Sequence, residues 1–159
     1  MRRFLTLAAL LVLTAAAHAI VVRPAPDVRW IDASGKTQSL SRFKGQPVVL
    51  LITPNARNRS FRSQLGNLRG IAERLGAQKV VFLAAFTVEP GRVPSNIPFA
   101  LAADGPKVGF DFGSEGRFQI AIIGADGNLD YVTNKVLPGQ RIYDVIINSF
   151  ARQRDMRRP

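Results

Sequence analysis

Residues 36–68, KTQSLSRFKGQPVVLLITPNARNRSFRSQLGNL, contain the transition on which the fold turns. Within them residues 47–53 (PVVLLIT) form a continuous apolar, β-branched run, the pattern of a strand covered on both faces and therefore central in its sheet. Pro54 and Asn55 break the run. Phe61, Leu65, Leu68, Ile71, Ala72 and Leu75 then recur at steps of three and four, which predicts one amphipathic helix ending at Gly76 and capped by Asn58 or Ser60. Residues 79–86 (KVVFLAAF) predict a second buried strand, and strand, helix and strand at this spacing imply a right-handed parallel crossover.

The flanks extend the same alternation. Residues 28–31 and 37–40 surround Asp32-Ala33-Ser34-Gly35, turn chemistry that predicts a short hairpin. Three prolines and a glycine in residues 87–104 predict a loop with at most a short strand at 97–101, followed by a brief helix over 106–112. Strands are expected at 118–123 and 129–133 around Ala125-Asp126-Gly127-Asn128, where Asp-Gly is a hairpin signal. Pro138 opens a terminal helix with Ile142, Val145, Ile146 and Phe150 on one face. The class is α/β: a central mixed sheet flanked by helices, with an N-terminal hairpin.

Residues 1–19, MRRFLTLAALLVLTAAAHA, have the cationic start, apolar run and small-residue end of a secretory signal, so the expected mature chain begins at Ile20. The apolar stretch is shorter than the roughly 20 residues a bilayer crossing needs. One domain is expected over 20–151, followed by a basic tail at 152–159 with Arg152, Arg154, Arg157 and Arg158. Periplasmic or extracellular localisation follows from the signal.

Residue types that are missing exclude whole classes of chemistry. The chain has no cysteine, and its single histidine, His18, falls inside the expected signal. Thiol exchange needs a cysteine thiolate, and zinc sites and Ser-His-Asp triads need the residues that are lacking. Without disulfides, the hydrophobic core must stabilise an exported domain alone. The full chain carries a net charge of +11, and removal of Arg2 and Arg3 with the signal leaves +9. This balance favours anionic partners: a protein, a small anion or an anionic membrane surface. Export and the lack of an aromatic-basic motif argue against nucleic acid.

The element order and two segments carry a resemblance. Residues 40–49 (LSRFKGQPVV) resemble the stretch preceding the active site in the redoxin and thiol-specific antioxidant branch of the thioredoxin-like superfamily, and residues 123–129 (IGADGNL) resemble its late hairpin. The likeness spans residues 26–150, and it extends to thioredoxin-like families of exported bacterial proteins that lack the cysteines. It implies a thioredoxin-like fold and places the first thiol of a C-x-x-C at Arg57 and the resolving thiol at Ser60. In the peroxidase branch the stretch after Pro54 holds a threonine and a peroxidatic cysteine, and this chain has Asn58 and Phe61 there. The family's cis-proline position falls near Phe118, within Gly116-Arg117-Phe118-Gln119.

What remains at that face is a set of arginines. Arg57, Asn58, Arg59, Ser60 and Arg62 at the helix start, with Arg117 and Phe118, form the candidate site for an anion or partner, because guanidinium groups grip carboxylates and phosphates as planar forks. The plainer reading is a solvated surface loop. Asp104, Asp111, Glu115, Asp126 and Asp130 have no spacing that fixes a catalytic pair or a metal loop, and Asp32 and Asp126 read as turn residues. Trp30 and Phe82, Phe86, Phe110, Phe112 and Phe118 read as core. No catalytic residue, cofactor or metal is assigned. The leading expectation is a non-enzymatic binding module. The alternatives are a thiol-independent enzyme using Ser60 or a carboxylate with an arginine, and a protein held at the envelope or membrane surface by its charge.

Overall fold

The computed structural model describes residues 23–43, 45–149 and 153. The expected signal at 1–19 and Phe150 lie outside the described residues, and of the tail only Gln153 lies within them. The elements run β1 (Arg29–Ile31), β2 (Thr37–Ser39), β3 (Val48–Thr53), α1 (Arg59–Arg69), α2 (Ala72–Ala77), β4 (Val81–Phe86), β5 (Phe99–Leu101), α3 (Gly105–Asp111), β6 (Gln119–Ile123), β7 (Leu129–Thr133) and α4 (Gly139–Ile147).

The apolar run ending at Thr53 forms the middle of the sheet. All six residues of β3 are buried, and the strand order is β5-β4-β3-β6-β7. β4 lies parallel to β3 and β5 parallel to β4, whereas β6 and β7 run antiparallel to their neighbours. Alternation along β3 divides the core between the two faces. Val49 and Leu51 point toward Phe61, Leu65 and Leu68 of α1, Leu75 of α2, and Ile142 and Ile146 of α4. Val48, Leu50 and Ile52 point toward Trp30, Leu40 and Val108, which belong to the hairpin region and α3. Each fully buried Leu or Ile contributes about 1.5–3 kcal/mol, so a sheet covered on both faces stabilises the domain without a disulfide.

The hairpin β1–β2 is organised by Asp32. Its Oδ1 accepts from Ser34 N (2.9 Å), Ser34 Oγ (2.6 Å) and Lys36 N (3.0 Å), and its Oδ2 accepts from Gln38 Nε2 (2.6 Å). The hydrogen bonds of the Ser34 and Gln38 side chains hold its carboxyl well below the usual range. Trp30, buried, meets Phe43 edge to face at 5.4 Å and bridges to Ala102, which fastens the hairpin to the end of β5.

One expectation is corrected here. The single helix expected to reach Gly76 is broken at Gly70-Ile71. Ile71 N donates to Leu68 O (3.1 Å), one residue short of the α step, so Asn67 O is left outside the helical ladder. Asn67 O faces Gly139 at the start of α4, where a Cβ would lie 2.6 Å from it. The break is thus where a second helix packs, which helical periodicity does not reveal. Pro138 opens α4 as expected, standing as its N-cap.

Candidate functional site

Strand β3 ends at Pro54, whose carbonyl oxygen accepts from both Val88 N (3.1 Å) and Glu89 N (3.0 Å). The turn after β3 is thereby tied to the loop after β4. Asn55 Oδ1 accepts from Arg57 N (3.0 Å), and Asn58 Oδ1 caps α1 by accepting from Phe61 N (3.1 Å). Of the two caps the sequence offered, Asn58 is the one used. This turn sits at the carboxyl ends of two parallel strands, the place where open α/β sheets bind ligands.

From this frame the arginines project. Arg57 Nη2 donates to Glu89 Oε1 (3.0 Å) and Oε2 (2.8 Å); with side chains 79% and 55% exposed, such a pair contributes about 0–1 kcal/mol. Arg59, Arg62 and Arg69 follow along one face of α1. Together with Arg57, Ser63, Leu65 and Pro94 they line a cleft of about 460 Å³. Among the described residues, no carboxylate lies within 4 Å of Arg59, Arg62 or Arg69. The first turn of α1 contains no acid, so two cations near the positive end of the helix dipole each cost a few tenths of a kcal/mol with no in-chain compensation.

The remaining residues of the expected site fall elsewhere. Ser60 is half-buried and does not line the cleft. Arg117 pairs with Glu115 (2.9 Å), and Phe118 is buried in the core with Phe61 and Phe86, so neither joins the arginine cleft. Arg69 and Ser63 were not anticipated, although their helical spacing from Arg59 and Arg62 was readable. Pro94 and Glu89 come from a distant loop, and no local pattern marks them.

Phe110 departs from the expected core position: it is 86% exposed. The cause is the opposite face of α3. A Cβ at Gly105 would lie 1.9 Å from Phe86 O, and one at Gly109 would lie 2.6 Å from Thr87 Cγ2. These two glycines, one helical turn apart, press α3 onto the end of β4 and turn Phe110 outward. Trp30, Phe82 and Phe86 are buried as expected, and Phe112 is half-buried.

The carboxylates singled out in the sequence serve local structure, with one exception. Asp104 Oδ1 caps α3 by accepting from Lys107 N (3.0 Å), Asp111 pairs with Lys107, and Asp126 accepts from Asn128 N (3.1 Å) and Nδ2 (2.8 Å). Asp130 differs. Both its oxygens are buried without a hydrogen-bond partner, and burial, with the nearby Asp126 charge second, pushes its pKa up to about 6. Among the described residues there is no group of three His, Cys, Asp or Glu side chains placed to hold a metal ion, and no helix long and apolar enough to cross a membrane.

No protein-family model matches the chain, and no curated protein matches it in sequence. Solved structures do, and they define the class: the chain has a thioredoxin-like fold, here without a cysteine. It is similar to peroxidoxin BcpB from Mycobacterium tuberculosis, with a TM-score of 0.58 and 19% identity over 86% of this chain and 97% of that one. It is similar also to a thioredoxin-family thiol:disulfide interchange protein from Chlorobium tepidum (TM-score 0.58, 16% identity, 79% and 94% covered). A third is the exposed lipoprotein thioredoxin of Streptococcus pneumoniae (TM-score 0.55, 18% identity, 75% and 96% covered).

Proposed function

We propose that this chain is an exported, non-enzymatic thioredoxin-like domain that binds an anionic group of a protein or small ligand in the arginine cleft of α1. The observation that carries this reading is the convergence of Arg57, Arg59, Arg62 and Arg69 on one concave site, with three of the four free of any carboxylate among the described residues. Arginines that merely solubilise a surface have no reason to share a cleft, and three of these four, Arg57, Arg59 and Arg62, gather at the helix end that repels them. A forked guanidinium donates two parallel hydrogen bonds to a carboxylate or phosphate, and several in one cleft hold one anion more firmly than separate surface charges do. Thiol redox chemistry is excluded by composition. Export rests on the signal pattern of residues 1–19.

Phosphate titration followed by thermal unfolding tests the reading. A ligand that binds only the folded state adds about 2.7 kcal/mol of stability when its free concentration reaches a hundred times its dissociation constant. The wild type is expected to show a saturable component of stabilisation, and Arg59→Ala with Arg62→Ala to lose it while keeping the non-saturating salt effect. Equal, unsaturated stabilisation of both proteins would reduce the cleft arginines to solvated surface.

A further inference from the structure

On the α3 side of the sheet, reached from the arginine cleft through the loop after β4, lies a second concavity of about 430 Å³, whose lining includes Thr87, Val88, Gly109, Phe110 and Ser114. Val88 is 72% exposed and Phe110 86%, the two highest values among the exposed large hydrophobic side chains of the described residues, and both belong to this cleft. Scattered apolar residues on a surface need no explanation, but two that line one cleft offer a landing place for an apolar side chain. Ser114 Oγ, fully buried and without a hydrogen-bond partner, adds an unsatisfied polar atom to the lining. An orphaned hydroxyl of this kind costs free energy until a partner reaches it.

The two clefts are joined through adjacent residues. Val88 lines the apolar one, and its neighbour Glu89 reaches Arg57 on the wall of the basic one, while Pro54 O holds both backbone N–H groups. Glu89 is an in-chain carboxylate seated on a cleft arginine at 2.8–3.0 Å. It occupies the position that a ligand carboxylate would take.

We infer that the ligand of this face is an extended segment of a partner protein carrying acidic residues next to a large apolar side chain, an inference that rests on the anion-binding reading above. The acidic residues lie along Arg59, Arg62 and Arg69, and the apolar side chain enters between Val88 and Phe110. From residue 59 to residue 69 the helix rises about 15 Å, the reach of about five extended residues. A small inorganic anion leaves the apolar cleft unused. An anionic membrane could meet the protruding Phe110 and Val88, but it would lie across the arginine hollow walled by Pro94, which a segment of chain can enter.

Selection of a random dodecapeptide phage library on the full chain tests this without presuming a sequence. The expected consensus combines two or more Asp or Glu with a neighbouring Phe, Leu, Ile or Trp. Phe110→Ser with Val88→Ser, both at exposed positions, is expected to weaken a selected peptide by about tenfold, the loss typical of an apolar anchor, while leaving the phosphate response intact. Arg59→Ala with Arg62→Ala removes both responses. Glu89→Gln frees Arg57 and tightens the peptide about threefold, in keeping with the modest strength of an exposed pair. An acidic consensus indifferent to Phe110 and Val88, with saturable phosphate binding retained, overturns the inference and leaves the anion site standing. Loss of both consensus and saturable phosphate binding overturns the anion site as well. Phe110-dependent binding to phosphatidylglycerol vesicles with no peptide consensus replaces the partner segment by a membrane.

Discussion

Asp130 stands on β7 with both carboxylate oxygens shut away from water, while Tyr131, Arg141 and Asp144 line the neighbouring cleft. Arg141 lies over the Tyr131 ring at 5.6 Å and forms no ion pair with Asp130 among those described. Its folded pKa of about 6 lies above the ordinary 3.8, so the folded state holds this proton more firmly than the unfolded chain. Well below pH 3.8 the group is protonated in both states and costs nothing. Stability then falls as the pH rises toward 6 and is flat beyond it, a penalty of at most about 3 kcal/mol that solvent screening of this half-buried group reduces. Asp130→Asn is therefore expected to raise the urea midpoint at pH 7.5 and to leave it nearly unchanged at pH 3. A shift of equal size at both values would mean that the carboxylate's charge is not the source of the penalty. Asp130 was visible in the sequence as one carboxylate among five, but its burial was not. The Oδ2 of Asp130 lies where a Cβ at Gly124 would be 2.7 Å away, so the glycine opposite it in the hairpin makes room for the carboxylate, and no sequence period marks that approach. Phe110 shows the converse: an aromatic reads as core until glycines on the opposite helix face decide which side packs.

Helix α1 is held at both ends by contacts of different range. Its start is local: Asn58, three residues before Phe61, is the capping arrangement the sequence announced. Its far end is not. Gln64, fully buried on the apolar face, donates from Nε2 to Leu137 O (3.0 Å) and accepts at Oε1 from Leu137 N (2.7 Å), and Asn67 Nδ2 donates to the same oxygen (2.8 Å). One glutamine side chain thus takes the place of a strand partner for the backbone that leads into α4. Gln64→Met keeps the volume but leaves Leu137 N–H buried and unpaired, with an expected cost of about 2 kcal/mol; Asn67→Ala, which leaves Leu137 O its bond from Gln64, costs about 1 kcal/mol. Urea unfolding of the two variants measures the difference, and equal, negligible losses would show that water replaces the clamp. The strands and the Asp-Gly hairpin were legible because a continuous apolar run and a turn dipeptide are local signals. Gln64 broke the apolar pattern at a core position, and that irregularity was the trace of a long-range contact. The break in the helix and the placement of Glu89 and Pro94 are likewise tertiary, and the chain's local order carries no sign of them.

A sheet buried on both faces explains how the whole molecule keeps a thioredoxin-like architecture with no sulfur bridge and no thiol. Fold and redox chemistry are separable because the first depends on the apolar residues of β3, β4, β6 and their covering helices, while the second depends on two side chains at the mouth of the sheet. Residue 57 lies in the turn after β3 and residue 60 in the first turn of α1, the span the family resemblance assigns to the paired thiols. The wild type is therefore expected to equal the buffer blank in both insulin-disulfide reduction and peroxide consumption. Its melting temperature should be unchanged by reductant, since no disulfide is there to break. Arg57→Cys with Ser60→Cys restores thiols to that span beside the positive end of α1 and Arg59 and Arg62, a setting that lowers thiol pKa and favours the thiolate. Under mild oxidation the double variant is expected to lose two hydrogens by intact mass and to remain monomeric, as an intramolecular disulfide requires. Two thiols that stay free, or that link only between molecules, would show that positions 57 and 60 do not share the geometry of a thioredoxin-like thiol pair, and that the arginine cleft arose on a face of a different kind.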